Sequence, residues 1–360
     1  MPNGSALEEQ RDAARSAHWF RDAGSTRQLI VWRIVLVLIC THFALDYDAH
    51  RDYLNLSTYM QGLAKTPFQY RVLPMYILRI FANLPATARI ATHLPPLLHD
   101  PRQLVQTGIV LFSMLGAVLA TFHTLVLLTA DREFSRWFSL LVVYMAYFNL
   151  APGWGLDYTL PYDTPSLFFF CLGVYFVVSQ RTWAFYLLLP FAALNRETSC
   201  FLTLFFLIWS WCKSSRQRPT QRQLAILSAH ALVQLFIWGA IKAWLSHRYA
   251  ANPSEGALGS STILFRLRYN LPELAKPQQW PVLLSTFGFT LPALWAGRHW
   301  IRNKGITWTC AILIPAWFAG MMMVGVITEI RIFSELTAFI VPALALIVHN
   351  RFRPVESIEH

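Results

Sequence analysis

Apolar residues run along this chain in long unbroken stretches, divided by short charged or turn-forming segments. None alternates in the manner of a half-buried strand. Ten stretches stand out: Leu29–Leu45, Leu104–Ala130, Trp137–Ala151, Thr164–Ser179, Trp183–Leu194, Thr198–Trp211, Leu224–Leu245, Pro281–Ala296, Ile306–Ile327 and Ile332–Val348. Several are long enough to cross a hydrocarbon core of about 30 Å as a helix. The pattern predicts an all-α fold, a polytopic transmembrane helical bundle of about ten spans. Trp183–Leu194 and Thr198–Trp211 are short, since a helix of about 12 residues rises only about 18 Å. They read as a hairpin broken at Asn195-Arg196-Glu197 below the membrane surface, where a water-lined cavity tolerates irregular backbone. One continuous helix from Trp183 to Trp211 is the alternative, and it would invert everything downstream.

Basic residues give the bundle its direction. With Arg11, Arg15, Arg21 and Arg27 in the cytoplasm, every short basic connection falls on that side, among them Arg132 with Arg136, Arg181, and Lys213 to Arg222. The turn Pro152–Tyr162 on the other side has no Lys or Arg, which is the asymmetry of the positive-inside rule. The chain then divides into a cytoplasmic segment 1–28, one transmembrane domain 29–349 with a first outer loop 46–103, and a cytoplasmic tail 350–360. The polar start is too long for a signal-peptide n-region, so Leu29–Leu45 reads as an uncleaved signal anchor. A bacterial inner (plasma) membrane is the expected location, with both termini inside.

Composition agrees with this pattern. Of 360 residues, 55% are hydrophobic and only 14% charged, less charge than a soluble domain carries. The net charge of +11 belongs to topology signals, and no segment outside the bilayer could form a nucleic-acid surface. The five cysteines show no pairing or metal-ligand spacing and read as small buried hydrophobes.

The charges that interrupt this pattern carry the functional expectation. Each costs about 2.5–3.5 kcal/mol at bilayer depth on insertion scales. Asp46 and Asp48 close the first span, and Asp157 and Asp163 precede the fourth. Arg196-Glu197 breaks the hairpin, and Glu329 and Arg331 lie between the last two spans. The topology sends all of them to the outer side, which predicts one polar site there. Lys242 and Glu335 lie within spans, toward their outer ends. Arg33 lies near the inner end of the first span, where it can snorkel to the headgroups. Within the first outer loop, Val72–Leu84 is apolar but too short to span, and reads as a helix in the interface plane.

A helix ending in Asp46-Tyr47-Asp48, followed by a large outer loop with interfacial helices, resembles the GT-C class of polyprenyl-phosphate-dependent glycosyltransferases. The string Pro67-Phe68-Gln69-Tyr70-Arg71-Val72-Leu73-Pro74, the turn Tyr162-Asp163-Thr164-Pro165 and Asn195-Arg196-Glu197-Thr198 look like elements of uncharacterised bacterial members. The soluble outer domain common in the class is missing, which leaves acceptor recognition to His247–Trp280 and the first loop. The resemblance implies transfer of a sugar from a polyprenyl-phosphate donor to an envelope glycan, lipid or protein acceptor.

That chemistry needs a base for a poorly nucleophilic hydroxyl, and Asp48 or Asp46 is the candidate, with Asp163 a third catalytic carboxylate. It also needs cations for the leaving phosphate, for which Arg71, Arg196 and Arg331 are candidates. Tyr70, Asp157, Tyr162, Asn195, Glu197 and Glu329 complete the expected substrate-binding set. Each has a plain structural alternative. The acids at the end of the first span could be solvated rim carboxylates, Asp163 could cap its helix, Arg196 could pair with Glu197 or Glu329, and Arg71 could anchor to headgroups. Asp46, Asp48, Asp157 and Asp163 could together hold Mg²⁺ or Mn²⁺, and the sequence leaves the metal open. No nucleotide-binding loop or zinc spacing occurs. Two other functions remain: a secondary transporter or flippase of a lipid-linked or small polar substrate, and a non-catalytic partner in envelope-glycan assembly.

Overall fold

The computed structural model describes residues 26–151, 158–214, 220–254 and 263–352, and 82% of it is helical. Sixteen α-helices follow one another among the described residues. They are α1 (Thr26–Asp48), α2 (Leu56–Gln61), α3 (Val72–Phe81), α4 (Pro85–Ala91), α5 (Pro101–Thr129), α6 (Arg132–Ser139), α7 (Leu141–Leu150) and α8 (Asp163–Val178). After them come α9 (Thr182–Asn195), α10 (Cys200–Ser214), α11 (Gln221–Arg248), α12 (Ile263–Ala275), α13 (Trp280–Ser285), α14 (Leu291–Gly297), α15 (Lys304–Val324) and α16 (Thr337–Phe352). Five helical segments among the described residues are long and apolar enough to cross a membrane: α1, α5, α11, α15 and Ile330–Phe352. The molecule is a helical membrane protein.

Local chemistry sets several boundaries. Asp100 caps α5 by accepting from the Arg102 amide at 2.9 Å, with Pro101 in the first turn. Thr220 and Gln223 form a capping box at the start of α11. The apolar stretch beginning at Pro281 is not one helix. It breaks at Phe287, Gly288 and Phe289, whose φ angles are 60°, 62° and 60°, and the Phe287 amide donates to Asn149 Oδ1 at 3.0 Å. Asn149 thus supplies an acceptor that the interrupted helix no longer offers.

The break between α9 and α10 is real, because Arg196 is extended at φ −156°, ψ 145°. Phe185 and Phe206, on either side of it, stack with centroids 5.4 Å apart. A continuous helix would hold residues that far apart in sequence roughly 30 Å from each other. The chain therefore reverses at 196–199, and α9 and α10 lie side by side against α11.

Contacts between helix ends fall into two groups. At the near end, where α1 begins, the Trp32 indole donates to the Arg136 carbonyl at 2.8 Å. His123 meets Tyr175, and Phe134 meets His349. The Asn350 amide also reaches the Trp300 carbonyl there. At the far end Tyr47 meets Leu160 and Asp163, Asn149 meets Thr337, and Trp238 meets Glu197.

A compact cluster packs at that far end. The two-residue strands β1 (Arg51–Asp52) and β2 (Tyr158–Thr159) pair in parallel, Arg51 opposite Tyr158. Tyr59, Val72, Leu78, Leu160 and Tyr162 are buried with Leu245 of α11. In α3 the expected helix forms. Val72, Met75 and Leu78 turn inward, while Ile80 and Phe81 are exposed, so both of its faces are apolar.

Candidate functional site

The far end gathers charges from distant parts of the chain. Asp163 opens α8 and is completely buried. Its Oδ1 lies 3.2 Å from Arg196 Nη1 and its Oδ2 lies 3.4 Å from Arg331 Nη1. The Tyr47 hydroxyl is also 3.4 Å from Oδ2. Asp163 does not cap its helix: Tyr162 is the capping position, and no side-chain bond is made there. Two guanidiniums have claimed the carboxylate instead.

Arg196, 4% exposed, also reaches Glu335 Oε1 at 3.0 Å. The expected partners Glu197 and Glu329 are therefore not the ones it takes. Glu335 is wholly buried and accepts from Ser166 at 2.9 Å, Thr198 at 3.0 Å and Ser334 at 3.2 Å. In the sequence it stands only as a charge within a span. The signal that could have promoted it was its depth, which demands a cation nearby. Arg331 pairs with Glu329 at 2.7 Å as well as with Asp163. Asn195 is buried at the same break, its amide donating to the Tyr162 carbonyl at 3.0 Å.

A second group lies alongside. Arg71, 7% exposed, grips Glu197 with two nitrogens at 2.7 and 3.3 Å. Its guanidinium sits 4.2 Å from the centre of the Tyr162 ring. A bidentate pairing between a buried Arg71 and a half-buried Glu197 replaces the headgroup anchor that the sequence left open. Lys242 of α11 approaches the same carboxylate at 3.6 Å, and the Trp238 indole donates to the Glu197 carbonyl at 2.9 Å. Desolvation by the surrounding protein works to raise the Glu197 pKa. The charges of Arg71, Lys242 and Arg196, with the Arg71 hydrogen bonds, outweigh it and hold the carboxyl well below the usual carboxylate range. Arg71 is correspondingly pushed up, its own desolvation overcome by Glu197.

Charge is unevenly divided between the two groups. Around Asp163, three carboxylates (Asp163, Glu335, Glu329) face two guanidiniums. Around Glu197, two cations share one carboxylate. Several buried atoms beside them have no hydrogen-bond partner among the described residues: Arg196 Nε, Arg331 Nε, Lys242 Nζ, the Tyr162 hydroxyl, Thr164 Oγ1 and Asn195 Oδ1. Buried polar groups are rarely left so, and their gathering here marks a place for a polar ligand or water.

The remaining expected residues divide. Asp48 is 2% exposed. It is not a solvated rim carboxylate, because Gln106 donates to Oδ1 at 2.7 Å and Thr107 donates to Oδ2. It joins α1 to α5 next to Tyr47. Asp46 is only half-buried, and its carbonyl accepts from His50 at 2.7 Å. Tyr70 is half-buried against the loop cluster. Asp157 lies outside the described residues. Among the described residues no three His, Cys, Asp or Glu side chains come together to hold a metal ion. Asp163 in particular is already flanked by two guanidiniums, which disfavour a cation beside it.

An apolar groove of about 530 Å³ lies between α3, α4, α5 and α8, and none of the charged residues above lines it. Leu73 and Ile77 of α3, Ile90 of α4, Gly108 and Phe112 of α5, and Phe168 of α8 line it. Its walls are sequence neighbours of the polar residues: Leu73 follows Arg71 closely, Val105 precedes Gln106, and Pro165 lies two residues after Asp163.

No known family model, curated protein or solved structure matches the chain.

Proposed function

We propose that the protein is a membrane glycosyltransferase, resembling the GT-C class, which moves a sugar from a polyprenyl-phosphate donor to an acceptor on the outer face of the membrane. The observation that carries this reading is a charge-divided polar site at the starts of α3 and α8, two helices that also line an apolar groove. A donor of this kind has a hydrocarbon tail joined to a phosphate and a polyol. The groove suits the tail, the cation-rich corner at Arg71 and Lys242 suits the phosphate, and the acid-rich group suits sugar hydroxyls.

In this reading the passages α1, α5, α6–α7, α8, α9, α10, α11, α13–α14, α15 and α16 make ten crossings. The grouping of helix ends into near and far sets supports it. The near end is cytoplasmic, in a bacterial inner membrane, and the far end faces outward. Asp48, held by Gln106 and Thr107, takes the acceptor proton. Arg71 and Lys242 neutralise charge on the leaving phosphate. Asp163 positions Arg196 and Arg331 and is not the base. The envelope acceptor, whether glycan, lipid or protein, docks against the loop cluster.

The test is transfer of labelled sugar from polyprenyl-phosphate donors in proteoliposomes. Asp48→Asn should lower turnover by about 10²–10⁴-fold, with the protein still folded. Gly108→Leu should raise the donor KM by filling the groove, since a Cβ at Gly108 meets nothing within 4 Å. Substrate flux into vesicles without any acceptor, unaffected by Asp48→Asn, would make the protein a transporter and end this reading.

A further inference from the structure

Helix α11 is apolar over most of its surface, with Leu232, Phe236 and Trp244 exposed. One stripe differs. His230, Gln234, Trp238 and Lys242 recur every four residues and so share a helix face. Contacts fix where that face points. His230 Nδ1 lies 2.7 Å from the Tyr186 hydroxyl of α9, and its ring lies 5.3 Å from Phe206 of α10. Trp238 and Lys242 meet Glu197 at the break between those helices. The stripe therefore faces the α9–α10 seam along its whole length, about 18 Å at 1.5 Å per residue, more than half of a hydrocarbon core of about 30 Å.

Midway along this seam the polar groups have no protein to satisfy them. Gln234 is 0% exposed, and neither its Oε1 nor its Nε2 has a hydrogen-bond partner among the described residues. On α10 the contact of Phe206 with His230, and of Glu197 with Trp238, sets an antiparallel register that puts Thr203 within one helical turn of Gln234. Thr203 is 2% exposed and its hydroxyl is likewise unpartnered. On α9, Pro190 has no N–H for the Tyr186 carbonyl, which frees a backbone acceptor beside the Tyr186–His230 pair. Ser199 Oγ and Arg196 Nε, nearer the outer site, are unpartnered too. Leaving a buried amide or hydroxyl without a bond costs about 1–3 kcal/mol each, and a bilayer offers no alternative partner.

We infer that the seam between α9, α10 and α11 is a hydration site: a file of ordered water on Gln234, Thr203 and Ser199 that gives His230, deep in the membrane, solvent contact through the Arg196–Glu335 site. Water suits the chemistry, being small and able to donate and accept, and a buried water commonly makes about three hydrogen bonds to groups of this kind. The file ends at His230, because the positions one turn further, Ile226 and Leu227, are apolar. It hydrates one half of the membrane and does not form a pore. Glycosyl transfer is not required for it.

The experiment is deuterium exchange at the histidine C2 position, read by mass spectrometry on the full chain in lipid nanodiscs. His230 should exchange within about threefold of the exposed loop residue His93, and Gln234→Leu should slow His230 by about tenfold or more without altering His93. An unvaried protein in which His230 already exchanges as slowly as a sealed core residue overturns the inference, with no variant needed. So does a Gln234→Leu variant that gains thermal stability while His230 exchange is unchanged, because that combination marks a dry, unsatisfied glutamine. Thr203→Val, a smaller change, should slow exchange in the same direction.

Discussion

At the scale of single residues the far-end charges form a mutually dependent set. Arg196 separates two buried carboxylates, Asp163 and Glu335, that would otherwise repel each other at close range. Arg196→Met should therefore cost about 3–5 kcal/mol, the range for breaking a buried ion pair from one side. Glu335→Gln keeps an acceptor for Ser166 and Thr198 and should cost less. Chemical denaturation in detergent would separate the two variants. If both cost the same, Arg196 is not the keystone of the set. Glu197 gives a pH-dependent version. Its carboxyl is held low in the folded protein, so its contribution to stability is present above the unfolded value of about 4.3 and is lost as pH falls through the lower folded value. The gap in melting temperature between the native protein and Glu197→Gln should be full at pH 7 and shrink below about pH 4.

At the scale of helices, two glycines of α5 make opposite demands although they lie on one element. A Cβ at Gly116 would sit 2.5 Å from the Phe168 ring of α8, so that glycine is what lets the two helices approach. Gly116→Ala should destabilise by about 1–3 kcal/mol, the cost of overpacking. Gly108 meets nothing within 4 Å, and Gly108→Ala should be neutral or gain about 0.5–1 kcal/mol from reduced backbone entropy. Parallel melting curves decide it, and equal effects would contradict the packing described for α5 on α8. The breaks in the helices have the same local character. Asn149 can hold the left-handed turn at 287–289 only because α7 brings it there, and nothing within Pro281–Ala296 announces that turn.

At the scale of the whole molecule, the two sets of helix ends lead to a simple expectation for a protein oriented in a membrane. Gln61 and Arg181 are both exposed, the first near the far end and the second near the other. In a background stripped of native cysteines, Gln61→Cys should react with an impermeant thiol reagent added to intact cells. Arg181→Cys should react only after the membrane is opened. Reversal of that pattern would place the polar site in the cytoplasm and remove the case for an outward-facing transferase.

Hydrophobic runs alone announced a helical membrane protein, because a bilayer leaves a spanning chain few options but helices, and the apolar length needed is readable residue by residue. The break at Asn195-Arg196-Glu197 was legible for a related reason: paired charges cannot sit in hydrocarbon without interrupting the run. The charges at the far end were also visible one by one, as costly exceptions in an apolar chain. Their partners were not. Arg196 chose Asp163 and Glu335 over its sequence neighbour, Asp48 turned to Gln106 and Thr107, and Arg71 found Glu197, 126 positions away. Pairing depends on which helix faces meet, and that is a property of side-chain packing between distant segments, which one-dimensional patterning does not contain. The same holds for the stripe on α11: its spacing is written in the chain, but only the hairpin packed against it makes Gln234 a buried group in search of water.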